Sequence, residues 1–372
     1  MEKIQEILNK GLDEYLEKHK VVGYKQKVIK AIKDCKTEKL GAHKYVCDEC
    51  GHEEIAYNTC RNRHCPNCQF GKKLKWIEAR KSEVLNIKYY HIVFTIPSEI
   101  YTVVLQNQEK MYKILFKASA ETLQELAGDE KYLGAEIGFF SILHTWGQNL
   151  MYHPHIHCVV TGGGLTETEK WKEKEEDFFI PVKVMSRKFR GKFLSYMKNE
   201  KLKYYGENEY LEYPENYDNL MQSMYNKEWV VYCKEPFKNA ESVIQYLGRY
   251  THRVAISNER ILKVEDDKVT FKWRDYKDNN KMKEMTITIE EFIRRFLIHI
   301  LPPKFMKIRY YGILGNRNKK KKLLKCKILT RTKVEENNKK LPILELLKKT
   351  LGKDFNLCPH CKKGHMLMPN TT

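Results

Sequence analysis

The feature that most constrains the fold of this chain is a stretch dense in cysteine and histidine between Cys35 and Cys68. It contains two Cys-x-x-Cys pairs, Cys47–Cys50 and Cys65–Cys68, and two such pairs supply the four thiolates of a tetrahedral structural zinc ion. The stretch is too rich in glycine, asparagine and other polar residues to build much core of its own, so a metal ion must supply stability. We therefore predict a zinc-binding module.

The distribution of these residues predicts one or two structural zinc ions. The two Cys-x-x-Cys pairs would form the first site. The residues left over in the same stretch would form a second, interleaved site: Cys35, His43, Cys60 and His64. His52 is an alternative to one of these ligands. Near the other end of the chain, Cys358-x-x-Cys361 followed by His365 is half of a zinc site and has no obvious partner in the sequence.

The charge of the chain indicates a polyanionic partner. Lys and Arg number 68 against 48 Asp and Glu, a net charge of +20, in a sequence that is 42% hydrophobic and so rich enough in apolar residues to fold. Nucleic acid is the leading candidate. The apolar runs are far shorter than the roughly 20 residues of a membrane span, and the N-terminus predicts an amphipathic helix without the pattern of a signal peptide. We expect a cytoplasmic, nucleoid-associated protein whose eleven cysteines form no disulfides and whose clustered cysteines bind metal, while Cys158, Cys233 and Cys326 are scattered.

A chain of 372 residues suggests two or three domains, at roughly 150 residues each. Residues 1–82 predict a helical lead-in and a zinc-binding, DNA-recognising domain. Residues 83–312 hold the apolar strand HIVFTIP, an expected hairpin and the remaining candidate catalytic residues. Residues 313–372 predict a basic C-terminal tail with a possible zinc half-site, and its segment 317–340 has the composition of a mobile, DNA-facing tail.

The run HPHIH predicts a second kind of metal site. In a strand, residues i and i+2 project from one face, so His155 and His157 would present two imidazoles side by side. If the hairpin closes around residues 150–151, His157 lies opposite His144, which becomes a third ligand. A slip of one residue would turn His144 away and bring Gln148 into competition for that role. The alternative is that these are ordinary buried or exposed rings.

Two tyrosines in QYLGRYTHR are candidate nucleophiles. Tyr246 and Tyr250 are four residues apart, so a helix would present both phenols on one face. Arg249, His252 and Arg253 surround the pair and suit phosphate binding and the ionisation of a phenol whose ordinary pKa is about 10. The alternative is that two tyrosines at helical spacing simply pack, in a chain that has 23 of them.

Five separated motifs resemble the rolling-circle insertion-sequence transposases of the His-hydrophobe-His (HUH) endonuclease superfamily, in order and over nearly the whole chain. They are HIVFTIP, CRNRHCPNC, LHTWGQNLMYHPHIHCVVTGGG, YLGRYTHRVAISN and RFLIHILPPKFMKIRYYGILG. The resemblance implies an α+β fold, in which a small zinc-binding module precedes an antiparallel sheet flanked by helices. It also implies that His155 and His157 hold Mg²⁺ or Mn²⁺, and that Tyr250 and Tyr246 are the paired nucleophiles, in an order left open.

The implied activity is nicking and rejoining of single-stranded transposon ends and target DNA. One tyrosine would attack the scissile phosphate and form a 5′-phosphotyrosine, which conserves the bond energy and agrees with the lack of an ATP-binding loop motif. No helicase motif occurs, so host helicase or replication machinery would open the duplex. Candidate DNA contacts are Arg61, Arg63, Arg249 and Arg253. The sequence predicts no oligomeric state.

Three other functions share part of this evidence. A replication initiator or plasmid relaxase would use the same metal and tyrosine chemistry, and the N-terminal zinc module is what favours a transposase. A metal-dependent hydrolase can also begin from a His-x-His strand, but it needs further carboxylates or histidines in later strand-end loops. A non-catalytic zinc protein that binds DNA would explain the charge and the cysteines, but not the retained histidines and tyrosines.

Overall fold

The computed structural model describes residues 2–173, 180–237, 242–244, 246, 248, 254–276, 278–334 and 341–369. The helices are α1 (Lys3–Lys18), α2 (Gly23–Lys33), α3 (Pro66–Lys81), α4 (Tyr101–Gln106), α5 (Gln108–Gly128), α6 (Val182–Lys198), α7 (Pro214–Asn226), α8 (Ile289–Ile298), α9 (Lys319–Leu329) and α10 (Ile343–Leu351), and the described residues of 242–248 are helical as well. The strands are β1 (Ala42–Cys47), β2 (Glu53–Tyr57), β3 (Tyr89–Thr95), β4 (Glu136–Trp146), β5 (Tyr152–Leu165), β6 (Trp171–Glu173), β7 (Val231–Phe237), β8 (Ile261–Glu265), β9 (Lys268–Asp275), β10 (Lys281–Thr288), β11 (Ile308–Gly312) and β12 (Met366–Leu367).

A central antiparallel sheet organises the molecule. Its strand order is β11-β4-β5-β3-β7, and β6 pairs with β5 at one side. The strands β4 and β5 are buried along almost their whole length because helices cover both faces of the sheet. With the cysteine-rich module ahead of this sheet, the α+β fold expected from the sequence resemblance is confirmed.

The two faces of the sheet have different neighbours. On one face, alternate residues such as Phe94 and Ile156 pack against Phe116 of α5 and Phe189 of α6. On the other face, Ile142 and Val159 share a core with Val243 and with Leu323 of α9. Since His157 lies directly opposite Ile142 in the β4–β5 pair, the histidine motif faces this second core.

The N-terminal helices do not form an independent unit with the cysteine-rich module. Side chains of α1 and α2 share one core with α8, with strands β8 and β9, and with Cys35 and Cys65. The approach of α1 to α8 is close enough that a Cβ at Gly11 would overlap the side chain of Ile289. Helices α1 and α2, expected within a separate domain of residues 1–82, therefore share their core with side chains between Ala255 and Ile300.

The described parts of residues 313–372 pack against the rest of the molecule, contrary to the expectation of a mobile basic tail. Between its lysines, α9 places Leu323 and Cys326 in the core on the second face of the sheet. Helix α10 packs against α3, and β12 pairs with β1 in the cysteine-rich module. The prediction of a tail rested on the number of charges in this segment and overlooked the apolar positions that recur among them at helical spacing. Among the described residues, none of the helices is long and apolar enough to span a membrane.

Candidate functional site

Three histidines converge on the second face of the central sheet. In the observed register His144 lies opposite His155, and Ile142 lies opposite His157. This register differs by two residues from the predicted one, in which His144 lay opposite His157. Because side chains alternate with a period of two, a shift of two residues leaves all three histidines on one face.

The imidazoles are close enough to share one metal ion. The Nε2 atoms of His155 and His157 are 3.0 Å apart, and the ligand atoms of the three buried histidines all lie within 4.8 Å of one another. Two nitrogens bound at right angles, about 2.1 Å from one ion, would be about 3.0 Å apart. The Nδ1 of His155 lies 2.6 Å from the backbone carbonyl oxygen of His153, and donation to that oxygen makes Nε2 the nitrogen that carries the lone pair a metal ion would use. The donor set therefore fits a divalent cation.

His91 joins this cluster, and the sequence analysis did not select it as a site residue. It projects from β3 on the same face, and its Nε2 is 2.9 Å from Nδ1 of His157. Burial lowers the pKa of His91 to about 3, and the charge of Lys234 adds to the effect. The ring is therefore neutral at pH 7. His91 is the first residue of the motif HIVFTIP. It lies two residues before Val93, and because Val93 pairs with His157, His91 projects on the same face as the histidine cluster.

Tyr246 reaches the cluster through His91. Its hydroxyl oxygen is 2.5 Å from Nε2 of His91, and its half-buried ring packs between those of His91 and Phe237, with centroids 4.7 and 4.9 Å away. A neutral imidazole in this position can accept a hydrogen bond from the phenol. The other residues predicted around this helix lie outside the described part of the chain: Tyr250, Arg249, His252 and Arg253.

The first cysteine cluster, named here the core cluster, consists of Cys35, Cys60, Cys65 and Cys68. Sγ of Cys68 lies 3.6 Å from Sγ of Cys35 and also 3.6 Å from Sγ of Cys60. Tetrahedral zinc with Zn–S bonds of about 2.3 Å has S···S edges of about 3.8 Å, whereas a disulfide is about 2.05 Å long. The spacing therefore fits zinc. Cys65 is the N-cap of α3, so the first turn of that helix presents Cys68 beside it.

The second cluster, named here the terminal cluster, joins opposite ends of the chain. It consists of Cys47, Cys50, Cys358 and Cys361. Sγ of Cys47 lies 3.8 Å from Sγ of Cys361, and Sγ of Cys50 lies 3.7 Å from Sγ of Cys358. These distances are also those of a four-thiolate zinc site.

The structure corrects the ligand sets predicted from the sequence. Cys47 and Cys50 are not grouped with Cys65 and Cys68, because the pairing of β12 with β1 brings in the C-terminal pair instead. The second predicted set keeps its two cysteines and loses both histidines.

Each of those histidines has a different environment. His43 is exposed on β1. The Nε2 of His64 accepts hydrogen bonds from the backbone N–H of Leu301 and from the guanidinium of Arg63, and burial lowers the pKa of His64 to about 3. Sequence spacing had grouped residues that are neighbours along the chain, whereas the fold groups residues across it.

Arg63 is also placed differently from the prediction that it contacts DNA. Its guanidinium donates to the backbone carbonyls of Leu301, Pro302 and Phe305, and burial lowers its pKa. These bonds attach the loop of the core cluster to the segment before β11. Arg61, in contrast, is exposed and adopts a left-handed backbone conformation, with φ at 54°, so it stays a candidate DNA contact.

The fold and the site together define a class of protein: a basic, cysteine-rich chain with a buried histidine cluster that could hold a metal ion and that a tyrosine approaches. The family described as “Putative transposase” matches residues 138–322, which include the histidine cluster and Tyr246. The family described as “Transposase zinc-binding domain”, of the IS91 type, matches residues 7–96, which include the core cluster.

Two relatives carry the identification further. The chain is 44% identical over 350 residues to the “Putative transposase y4qJ” of Sinorhizobium fredii, covering 92% of this chain and 88% of the relative. It is 28% identical over 291 residues to the transposase for insertion sequence element IS801 of Pseudomonas savastanoi, covering 76% of this chain and 68% of that relative. No solved structure matches the chain. The chain belongs to the IS91 family of insertion-sequence transposases, as its motifs predict, and is thus a DNA endonuclease and strand transferase.

Proposed function

We propose that this transposase nicks and rejoins single-stranded DNA at the ends of its element, by metal-dependent tyrosine attack of the rolling-circle type. The observation that supports this most directly is the chain of contacts from the Tyr246 hydroxyl to Nε2 of His91, and from there to His157 in the metal cluster. The Tyr246 hydroxyl is thus separated by a single imidazole from the residues that would hold the metal ion.

The three histidines His144, His155 and His157 would hold Mg²⁺ or Mn²⁺. A bound divalent ion polarises a phosphate oxygen and offsets the charge that develops on it. Imidazole nitrogens favour transition ions over Mg²⁺, which prefers oxygen ligands. We therefore expect Mn²⁺ to support activity better than Mg²⁺ at equal concentration.

The side chains of this protein would position the phenol and form the covalent bond. The Tyr246 hydroxyl, oriented by its contact with Nε2 of His91, would release its proton to solvent as its oxygen attacks the scissile phosphorus. The bond from phosphorus to the 3′ oxygen breaks, and that oxygen leaves with a proton as a free 3′-hydroxyl. The downstream strand is held as a 5′-phosphotyrosine. A 3′-hydroxyl that attacks this ester restores the phenol and joins the strands without ATP.

Tyr250 is the second nucleophile in this proposal, on the strength of its spacing in the sequence. It would receive or cleave the other strand while Tyr246 holds its covalent end. The net charge of +20 would provide salt-dependent affinity for the DNA backbone. Host helicase or replication machinery would expose the single strand. The protein would therefore act in the cytoplasm, at the nucleoid.

The test uses purified full-length protein, Mn²⁺ or Mg²⁺, and single-stranded oligonucleotides that span the element ends and carry a 3′ label. We expect a protease-sensitive covalent adduct on a denaturing gel. The double variant His155→Ala/His157→Ala should lose it. Tyr246→Phe and Tyr250→Phe, made separately, report which phenol acts first, and Tyr210→Phe at an exposed tyrosine is the matched control. Tight DNA binding without an adduct under either metal would favour the non-catalytic zinc protein.

A further inference from the structure

We propose that the terminal cluster binds a second structural zinc ion, which fastens the C-terminal segment 341–369 to the N-terminal cysteine-rich module. The matched zinc-binding family ends at residue 96, so half of these ligands lie far outside it. The four sulfur atoms come from two Cys-x-x-Cys pairs. The distances between sulfur atoms of different pairs, 3.7 and 3.8 Å, agree with those between thiolates that share a tetrahedral zinc ion.

The two pairs have the same backbone conformation, which is the strongest independent support. The N–H of Gly51 donates to the carbonyl of Cys47 at 3.1 Å, and the N–H of Lys362 donates to the carbonyl of Cys358, also at 3.1 Å. Gly51 and Lys362, each four residues after the first cysteine of its pair, both adopt left-handed conformations, with φ of 67° and 59°. Two unrelated segments thus form the same turn and face each other through their sulfur atoms.

Backbone hydrogen bonds align the two turns. Strand β12 pairs with β1, so that Met366 lies opposite Cys47. The N–H of Asp48 donates to the carbonyl of His365 at 3.1 Å, and the N–H of His365 donates to Oδ1 of Asp48 at 2.7 Å. The N–H of Gly364 also lies 3.4 Å from Sγ of Cys361. Such donors stabilise a ligating thiolate.

Apolar burial around this cluster is small. Its buried members are Cys47, Cys358 and Met366, with Tyr45 and Cys361 partly buried beside them. Besides Leu346 of α10, the apolar side chains buried here are one methionine and part of one tyrosine, too little apolar surface to offset the entropy cost of ordering a segment of this length. A zinc ion would supply the missing free energy, because the ion binds the folded arrangement and not the separated ends.

The function of this site follows from what the segment contacts. Helix α10 packs against α3, the helix whose N-terminus presents Cys65 and Cys68. A Cβ at Gly71 on α3 would lie 3.5 Å from Ile343, the first residue of α10. The terminal zinc would therefore hold segment 341–369 against α3, the helix that follows the core cluster. Loss of this ion should release segment 341–369, while the core cluster keeps its own zinc ion.

Zinc content of the full-length protein tests the proposal. The measurement is made in the His155→Ala/His157→Ala background, so that the histidine cluster contributes no zinc. We expect two zinc ions per chain in this background, one after Cys358→Ser/Cys361→Ser is added, and two after Cys233→Ser, a cysteine outside both clusters. Equal zinc content with and without Cys358 and Cys361 would overturn the proposal.

A second measurement covers the case in which the serine variant fails to fold. Cys50 is exposed, so a free Cys50 thiol should react quickly with iodoacetamide in the native wild-type chain. We expect mass spectrometry to show Cys50, Cys358 and Cys361 protected together, and then alkylated together once a chelator has removed zinc. Rapid alkylation of Cys50 before chelation would contradict the proposal.

Discussion

The core cluster and the terminal cluster each bring four cysteine sulfur atoms together, but in very different surroundings. In the core cluster, Cys35 and Cys65 are fully buried and belong to the apolar core that includes Trp146 and Phe296. In the terminal cluster, Cys50 is exposed, and the bridging sulfur pairs are 314 and 308 residues apart in sequence. The same grouping of four cysteines thus occurs in two settings: within an apolar core in the first cluster, and between two ends of the chain in the second.

The largest effect should separate the clusters by global stability. Cys65→Ser removes a ligand that is also a core side chain, so we expect a loss of at least about 4 kcal/mol of unfolding free energy. Cys361→Ser should lower the free energy of global unfolding only a little, because segment 341–369 can separate locally from the rest of the protein. Urea unfolding monitored by circular dichroism makes the comparison, with Cys233→Ser as the control. Equal losses for the two variants would mean that the clusters play the same structural part.

The next effect concerns the loop of the core cluster. Arg63→Ala leaves the carbonyls of Leu301, Pro302 and Phe305 without their guanidinium donor, and we expect a loss of about 2–3 kcal/mol. The exposed Arg61 is the matched control: Arg61→Ala should change stability by less than about 0.5 kcal/mol and weaken DNA binding. Thermal unfolding and salt-dependent binding titrations measure both properties. If Arg63→Ala left stability unchanged and weakened DNA binding, Arg63 would be a DNA contact, as the sequence predicts, and not a structural residue.

A third substitution should loosen the terminal cluster alone. A Cβ at Gly364 would lie 2.6 Å from both Sγ of Cys47 and Oδ1 of Asp48, so Gly364→Ala should cost about 1–3 kcal/mol locally. Hydrogen exchange of residues 341–369 should accelerate while α3 stays protected. Gly191→Ala in α6 is the control, since its Cβ would meet nothing within 4 Å. Faster exchange in α3 as well would show that the two clusters unfold as one unit.

The smallest effect isolates one hydrogen bond of the terminal cluster. Asp48→Ala removes the carboxylate that accepts from the N–H of His365, with an expected cost of about 1 kcal/mol. Asp48→Asn keeps an oxygen acceptor and should behave almost like the wild type. The rate of limited proteolysis within residues 341–369 reports the difference. Identical rates for the alanine and asparagine variants would assign the effect, if one is seen, to charge rather than to this bond.

The histidine site was accessible to sequence reasoning in a way that the cysteine clusters were not. Alternation along one strand places His155 and His157 on a common face whatever the exact register, and an error of two residues in the hairpin still left His144 beside them. His91 was missed because it belongs to a different strand, and only the order of strands in the sheet shows that β3 lies next to β5.

The cysteines predicted as zinc ligands do lie in clusters of four, but the clusters group them differently from the prediction. Each Cys-x-x-Cys pair forms a local turn, and the spacing of its two cysteines is enough to place their sulfur atoms side by side. Which two turns share an ion depends on a contact between distant segments, here the pairing of β12 with β1. In the same way, a run of lysines conceals the apolar positions of α9 until the core that receives Leu323 and Cys326 is known.

Local periodicity in this sequence was therefore enough to predict which face of the strand carries His155 and His157, and local spacing was enough to predict that each Cys-x-x-Cys pair brings two sulfur atoms together. These properties depend on backbone geometry over a few residues, which neighbouring side chains alone can specify. The partners of Cys47, the bonds of Arg63 and the contact of His91 with Tyr246 came from the assembled fold. Each of them joins residues more than a hundred positions apart, and the free energy that brings such residues together comes from burying whole helices and strands against one another.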